Sequence, residues 1–332
     1  MPQTFARTQV GVKEDLADFI YNIDAKQTPL LSAIPKGRTL VNNEFSWQVD
    51  AYDTPNTTAV PDGTDVSTTE DAAENRIRLH GRCVELRRTP KVSNRTEVNN
   101  GAGQGQGQEF AKGVIKKLVE LKRDLECTLG GDQESSDDDG VTGSKTRGLG
   151  KWIQSTAQTH LPVDSKYRPA SASIDTTAMA SLTPAVINAV LESQYGAVGA
   201  AQEYMLVVGT TLKKTITSVS GYQPTVGGQT AILRTETGSS SRWDNNVVSF
   251  SGDFGSYDIV LSNYLAWNNT TKVADARRGY ALDMDMVELR MHNPWQKMDL
   301  PDLGGGKRAL LRVIAGLCVK NPKGLAAFKA TA

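Results

Sequence analysis

The sequence has no excess charge of either sign: 37 lysines and arginines balance 37 aspartates and glutamates in 332 residues. A protein that grips nucleic acid needs a basic surplus to displace counterions. The balance therefore argues against a dedicated DNA binder, though not against one that merely encloses DNA. Cysteine is scarce. Cys83, Cys127 and Cys318 are odd in number, widely spaced and form no Cys-x-x-Cys pair, so neither a disulfide framework nor a zinc site is expected. Cys127 and Cys318 lie in apolar stretches and are expected to be small buried thiols. His80, His160 and His292 have no metal-ligand spacing to one another or to a carboxylate cluster. The longest apolar runs, such as Met205-Leu206-Val207-Val208, are far too short to cross a bilayer. The first residues, Met1-Pro2-Gln3-Thr4-Phe5-Ala6-Arg7, lack the apolar core of a signal peptide, and the chain is expected to fold and remain in a cytoplasm. No internal repeat is visible.

What is present is an ordinary globular composition, 39% apolar and 22% charged, and enough length for about two domains. Residues 1–43 mix short apolar groups with charge and two proline stops, and are expected to form an arm with a short helix at 15–23 and an apolar plug, Thr28-Pro29-Leu30-Leu31-Ser32-Ala33-Ile34-Pro35-Lys36-Gly37. Residues 44–52 alternate Phe45, Val49 and Ala51 with polar neighbours and add Trp47 and Tyr52, which predicts a strand. A polar stretch at 53–74 precedes a return strand at 76–86 with Ile77 and Leu79 on one face. A polar tip this long between two strands is usually functional or disordered.

The spacing predicts a long helix over 108–129. Phe110, Val114, Leu118, Leu121, Leu125 and Leu129 recur at three- and four-residue steps, while Lys112, Lys116, Lys117, Glu120, Arg123, Asp124 and Glu126 fill the other face. Lys117–Glu120 and Arg123–Glu126 are spaced to pair at about 0.2–0.5 kcal/mol each. Gly130-Gly131 is expected to end the helix in a left-handed cap. Such a helix spans roughly 33 Å at 1.5 Å per residue. Further on, helices are expected at 182–195 and 211–219, and strands at 205–208, 231–233, 247–250, 257–261, 280–291 and 310–319.

Each candidate for chemistry lacks a part. The glycines of 101–107 miss the third position of a dinucleotide fingerprint. Ser135-Ser136-Asp137-Asp138-Asp139-Gly140 has Ser135 and Thr146 where a calcium loop needs acids, so a solvated acidic loop is expected, with cation binding by 132–139 left open. Asp283 and Asp285 would lie roughly 7 Å apart on one strand face, without a partner motif that would make them a catalytic pair. Gly304-Gly305-Gly306-Lys307 has Pro301 and Arg308 where a phosphate loop needs glycine and a hydroxyl residue. No catalytic, cofactor or metal site is expected.

The structural segments, by contrast, line up in order. Thr28-Pro29-Leu30-Leu31-Ser32, Phe45-x-Trp47-x-x-Asp50, Asn94-Arg95-Thr96-Glu97-Val98, Glu120-Leu121-Lys122-Arg123-Asp124-Leu125-Glu126, Gly148-Leu149-Gly150-Lys151-Trp152-Ile153 and Val248-Ser249-Phe250-x-x-Asp253-Phe254-Gly255 together resemble a family of tailed-bacteriophage major capsid proteins. The resemblance implies an α+β chain of the Hong Kong 97-type capsid fold. Residues 1–43 would be the N-terminal arm and 44–92 the extended E-loop. Residues 93–172 and 266–332 would form the peripheral domain with the spine helix 108–129, and 173–265 the axial domain.

It further implies a non-enzymatic subunit that self-assembles into hexamers and pentamers of an icosahedral head shell, in the virion after assembly in the host cytoplasm. A separate scaffolding protein is expected, because only about forty residues precede the E-loop and leave no room for a cleaved segment. A portal, a cement protein and enclosed DNA would be the other partners, with no membrane. The expected assembly contacts are Phe45, Trp47, Tyr52, Glu120, Arg123 and Asp124. Trp47 is foremost among them, because a two-stranded loop is too thin to bury two large aromatics on its own body. The alternatives are an encapsulin-like, cargo-enclosing shell and a carbohydrate-binding tail-fibre protein.

Overall fold

The structure is a computed structural model that describes residues 24, 26–52, 55–65, 76–99, 107–199, 202–220, 225–226, 229–230 and 247–330. The expected helix at 15–23, the strand at 231–233, most of the glycine run at 101–107 and parts of the 53–74 loop lie outside the described residues. In chain order, the first elements are helix α1 (Pro29–Ala33), strands β1 (Glu44–Val49), β2 (Ile77–Arg82) and β3 (Val84–Arg88), then helices α2 (Asn94–Val98), α3 (Glu109–Leu129) and α4 (Leu149–Trp152). There follow β4 (Ile174–Asp175), α5 (Pro184–Val198), β5 (Gln202–Val208), α6 (Thr210–Ser220) and the two-residue β6 (Thr225–Val226) and β7 (Gln229–Thr230). The chain ends with β8 (Ser249–Gly252), β9 (Gly255–Leu261), β10 (Arg278–Leu282), β11 (Val287–Leu300), β12 (Arg308–Val319) and β13 (Ala326–Lys329).

The described chain divides into two compact units. The smaller comprises Arg87–Leu121 and Gln296–Arg312; the larger comprises Gln27–Leu86, Lys122–Trp295 and Val313 onward. The larger is built on a six-stranded mixed sheet in the order β4-β13-β10-β5-β9-β8. β5 runs parallel to β9 and antiparallel to β10, and β13 closes the sheet from the end of the chain. The inner strands are buried on both faces, which is why Tyr280-Ala281-Leu282 is a continuous buried run.

Helix α5 lies on this sheet. Thr183 caps it by accepting from the Val186 N–H, Pro184 opens its first turn, and Ile187, Val190, Leu191 and Gln194 form its buried stripe. These pack with Leu212 and Ile216 of α6 and with Tyr204, Leu206, Tyr257 and Phe328 of the sheet. The sheet runs across the expected boundary at 265/266. β10 and β13 belong to the same sheet as 202–261, because central strands need neighbours on both sides.

Three sequence expectations change in detail. The run 280–291 is not one strand: residues 283–286 form a turn between β10 and β11, and Asp283 accepts the Asp285 N–H at 3.0 Å. Asp283 and Asp285 therefore share a turn rather than a strand face. The return strand 76–86 switches sheets at Cys83. β2 pairs with β1, whereas β3 joins the sheet β11-β12-β3. The helix α3 ends at Gly130-Gly131, but neither glycine is left-handed. They are needed for close approach instead: Gly150 N–H donates to the Gly131 carbonyl at 3.1 Å, and a methyl group on Gly148 would meet that oxygen at 2.1 Å.

In the smaller unit, Ser93 caps α2 by accepting from Thr96 N–H, and Glu97 then caps α3 by accepting from Phe110 N–H at 3.1 Å. Lys307 pairs with the same carboxylate at 3.7 Å, and Lys297 lies over the Phe110 ring. The helix stripe is fully buried at Leu121, Leu125 and Leu129. Leu121→Ala is expected to leave a cavity that lowers stability by about 2–5 kcal/mol, read as a lower melting temperature; an unchanged one would place the stripe in solvent.

Candidate assembly surfaces

β1 and β2 form the base of the expected loop, paired antiparallel from Glu44↔Arg82 to Val49↔Ile77. Period two puts Phe45, Trp47 and Val49 on one face, opposite Gly81, Leu79 and Ile77. That face meets the chain's own body. Phe45 is 5% exposed and clusters with Leu40, Cys83 and Cys318. Two glycines make room for its ring: a methyl group would approach it to 2.4 Å at Gly81 and 2.7 Å at Gly316. Trp47 is half-buried and stacks on Phe45, with ring centroids 5.7 Å apart, and on Trp152 at 5.8 Å. Arg290 lies over Phe45 and Trp47, and Arg147 over Trp152 at 4.6 Å. The body supplies Trp152, Arg290 and two glycine gaps, so Phe45 is core and Trp47 an anchor of the loop base.

Tyr52 is 100% exposed, and every residue from 55 to 65 is exposed and outside helix and strand. Asp50 and Arg76 pair at 3.6 Å across the neck, both more than half exposed, a contact of little energetic weight. Tyr52 is thus the one expected contact residue that presents a large free aromatic surface.

The helix residues divide. Glu120 is held within the smaller unit by Lys117 at 2.7 Å, as its spacing suggested, and by Arg88 at 3.8 Å. Arg123 lies over the Tyr264 ring at 5.4 Å. Asp124 is half-buried, and its carbonyl accepts from the Thr128 hydroxyl. Arg123 does not pair with Glu126, because Glu126 is not on the polar face. It is fully buried and accepts from Leu30 N–H at 3.1 Å, Leu31 N–H at 2.6 Å and the Ser262 hydroxyl at 3.0 Å. Its carboxylate caps α1 and so docks the apolar plug, in which Leu30 and Ile34 are buried. Sequence reasoning missed this residue. The available signal was its place beside Leu125 and Leu129, at the margin of the stripe.

Little of the remaining polar chemistry is free. The Cys83, Cys127 and Cys318 thiols are each pushed up to about 12 by burial, so all stay protonated at neutral pH. In the acidic loop Asp137 pairs with Arg82 and, at 3.2 Å, with His160, which also meets the Ser135 hydroxyl. Asp138 accepts the Gly140 N–H and Asp139 the N–H groups of Thr142 and Val141, which lower the Asp139 carboxyl. Asp302 binds the N–H groups of Gly304 and Gly306, so the glycines before Lys307 shape a turn. Among the described residues no group of three or more His, Cys, Asp or Glu is placed to hold a metal ion, and no helix is long and apolar enough to cross a membrane.

Comparison with solved structures places this architecture. The chain superposes on the cyanophage A-1(L) capsid subunit with a TM-score of 0.66 at 11% identity, over 98% of this chain and 99% of that one. On Mycobacterium phage Ogopogo the TM-score is 0.62 at 12% identity, over 99% and 100%. On the capsid of a native GTA particle it is 0.60 at 14% identity, over 98% of each chain. These likenesses define the class, a subunit of the Hong Kong 97-type capsid fold. No curated protein matches the chain in sequence. Residues 2–332 match the SU10 major capsid protein family, and the chain belongs to that family. It is a major capsid protein, a subunit of a phage head shell; neither the cargo-shell nor the tail-fibre alternative is favoured by this match.

Because Trp47 and Tyr52 sit on either side of the loop neck, their substitutions should separate. Trp47→Ala removes two aromatic contacts and is expected to destabilise the free subunit by about 1–3 kcal/mol. Tyr52→Ala should leave subunit melting unchanged while lowering particle yield. Equal melting temperatures for Trp47→Ala and the parent would return Trp47 to the interface.

Proposed function

We propose that this subunit assembles with copies of itself into hexameric and pentameric capsomers of an icosahedral shell that encloses the phage genome. The observation that carries the reading is the run 55–65 with Tyr52. It is a long segment exposed on its own chain, set on a base that the chain anchors firmly. A segment of that kind gains cover only from a neighbour, and a closed shell repeats the contact at every subunit. In this reading 50–76 is the working part of the E-loop, laid on the adjacent subunit's spine helix. Tyr52 is then the foremost assembly contact, and Trp47 and Phe45 act by holding the loop base. Glu120, Arg123 and Asp124 present the outer face of α3 to that loop. The segment 1–43 straps neighbouring subunits, 173–265 together with β10 and β13 meets at capsomer centres, and the rest forms the periphery.

The role is structural, without catalysis. The balanced charge suits a shell that contacts DNA without specific binding. A scaffolding protein, a portal and a cement protein are the partners such a shell calls for, with assembly in the host cytoplasm. These rest on the family alone.

The test is electron microscopy of the purified chain with and without a candidate scaffold, combined with hydrogen exchange. Closed particles are expected, with residues 55–65 exchanging rapidly in free subunits and protected in shells. Equal protection in the two states would remove the loop from the interface, and soluble monomers under every condition would overturn the reading.

A further inference from the structure

The carboxylate of Glu126 is 0% exposed, yet each group that binds it is neutral: two backbone N–H groups of the docked plug and the Ser262 hydroxyl. Buried carboxylates ordinarily have a cationic partner, because taking a bare ion out of water costs several kcal/mol. Arg123 on the same helix lies over Tyr264 instead. Among the described residues, the other titratable groups nearest to it on these elements are Asp124 and Cys127 on α3, Tyr264 on the segment that carries Ser262, and Lys36 at the end of the plug, which is exposed and bridges to Leu289. None of these offsets a negative charge at Glu126.

The plug is also separable from the residues C-terminal to it. Past Pro35 the chain is held independently, by Gly37 N–H on the Leu289 carbonyl and Leu40 N–H on the Met291 carbonyl, both at 2.9 Å. A movement of 28–34 therefore need not disturb 37–40.

We propose that Glu126 is a proton-dependent latch on the plug, holding residues 28–34 tightly when protonated and leaving them poised to undock when ionised. Undocking would return the carboxylate to water and release the cost of its burial, while exposing Leu30 and Ile34, which opposes release. The sign comes from linkage. Burial, the largest cause, raises the Glu126 pKa against three hydrogen bonds that lower it. The docked state then binds the proton more tightly than the undocked one, so docking is strongest below the ordinary glutamate range and weakens as pH rises through the raised value. The inference concerns the chain itself and does not rest on the proposed capsomer contacts.

The test is amide hydrogen exchange of Leu30 and Leu31 in the full-length chain across a pH series, expressed as protection factors so that the intrinsic rate cancels. Protection should rise on acidification, by up to about tenfold per pH unit between the raised and ordinary glutamate values, while Gly37 and Leu40 do not change with it. Ser262→Ala removes a donor to the ionised form and should move the rise to higher pH. Glu126→Gln should make protection independent of pH. Parent protection that is flat or falls on acidification overturns the latch. So does a midpoint unmoved by Ser262→Ala, or Gly37 and Leu40 tracing the same curve.

Discussion

A buried carboxylate with no cation joins three distant parts of the larger unit. Glu126 binds Leu30 and Ser262, 96 and 136 residues away in sequence. It fixes the plug, and residues 35–40 then pair along β11 through Leu289 and Met291. That pairing leads the chain to the start of β1. Removing a buried acceptor leaves several donors orphaned at once, and for this reason such groups dominate the position of the segments they hold. The smaller unit uses the same device at Glu97, which binds the Phe110 N–H at the start of α3, but there Lys307 supplies a compensating charge. The two carboxylates do the same geometric task at different electrostatic cost.

The loop divides its labour along its length. At its base, the three rings of Phe45, Trp47 and Trp152 lie in contact between the guanidinium groups of Arg290 and Arg147, and glycines 81 and 316 let the Phe45 ring sit against backbone. Among the described residues beyond the base, Tyr52 and 55–65 are exposed. A firmly set base with an uncovered extension is suited to a shell, where a neighbour's position must be dictated by the subunit and the neighbour completes the burial. The polar residues that looked chemically suggestive are consistent with this structural role: Asp138, Asp139, Asp283 and Asp302 all bind backbone N–H groups of their own turns.

What could be read directly from the residues was whatever depends on local periodicity. The stripe Leu121, Leu125, Leu129 marks α3, whose bounds were expected to within a residue, and alternation marks β12 and the strand–turn–strand of 249–261. The ordered motifs also sufficed for the fold family, because they are spread along the chain and their sequence order survives where their identity is weak. Tertiary structure alone decided the rest. Whether Trp47 faces a neighbour or its own body depends on Trp152 and Arg290, more than a hundred residues away. That Gly131 and Gly148 permit a close crossing rather than a left-handed cap depends on a chain segment seventeen residues downstream returning to the helix end. That Glu126 is buried depends on α1 arriving to cover it. Periodicity records which face of an element is apolar, but a polar side chain at the edge of that face is buried or solvated according to which partners fold against it, and the order of residues within one helix carries no such information.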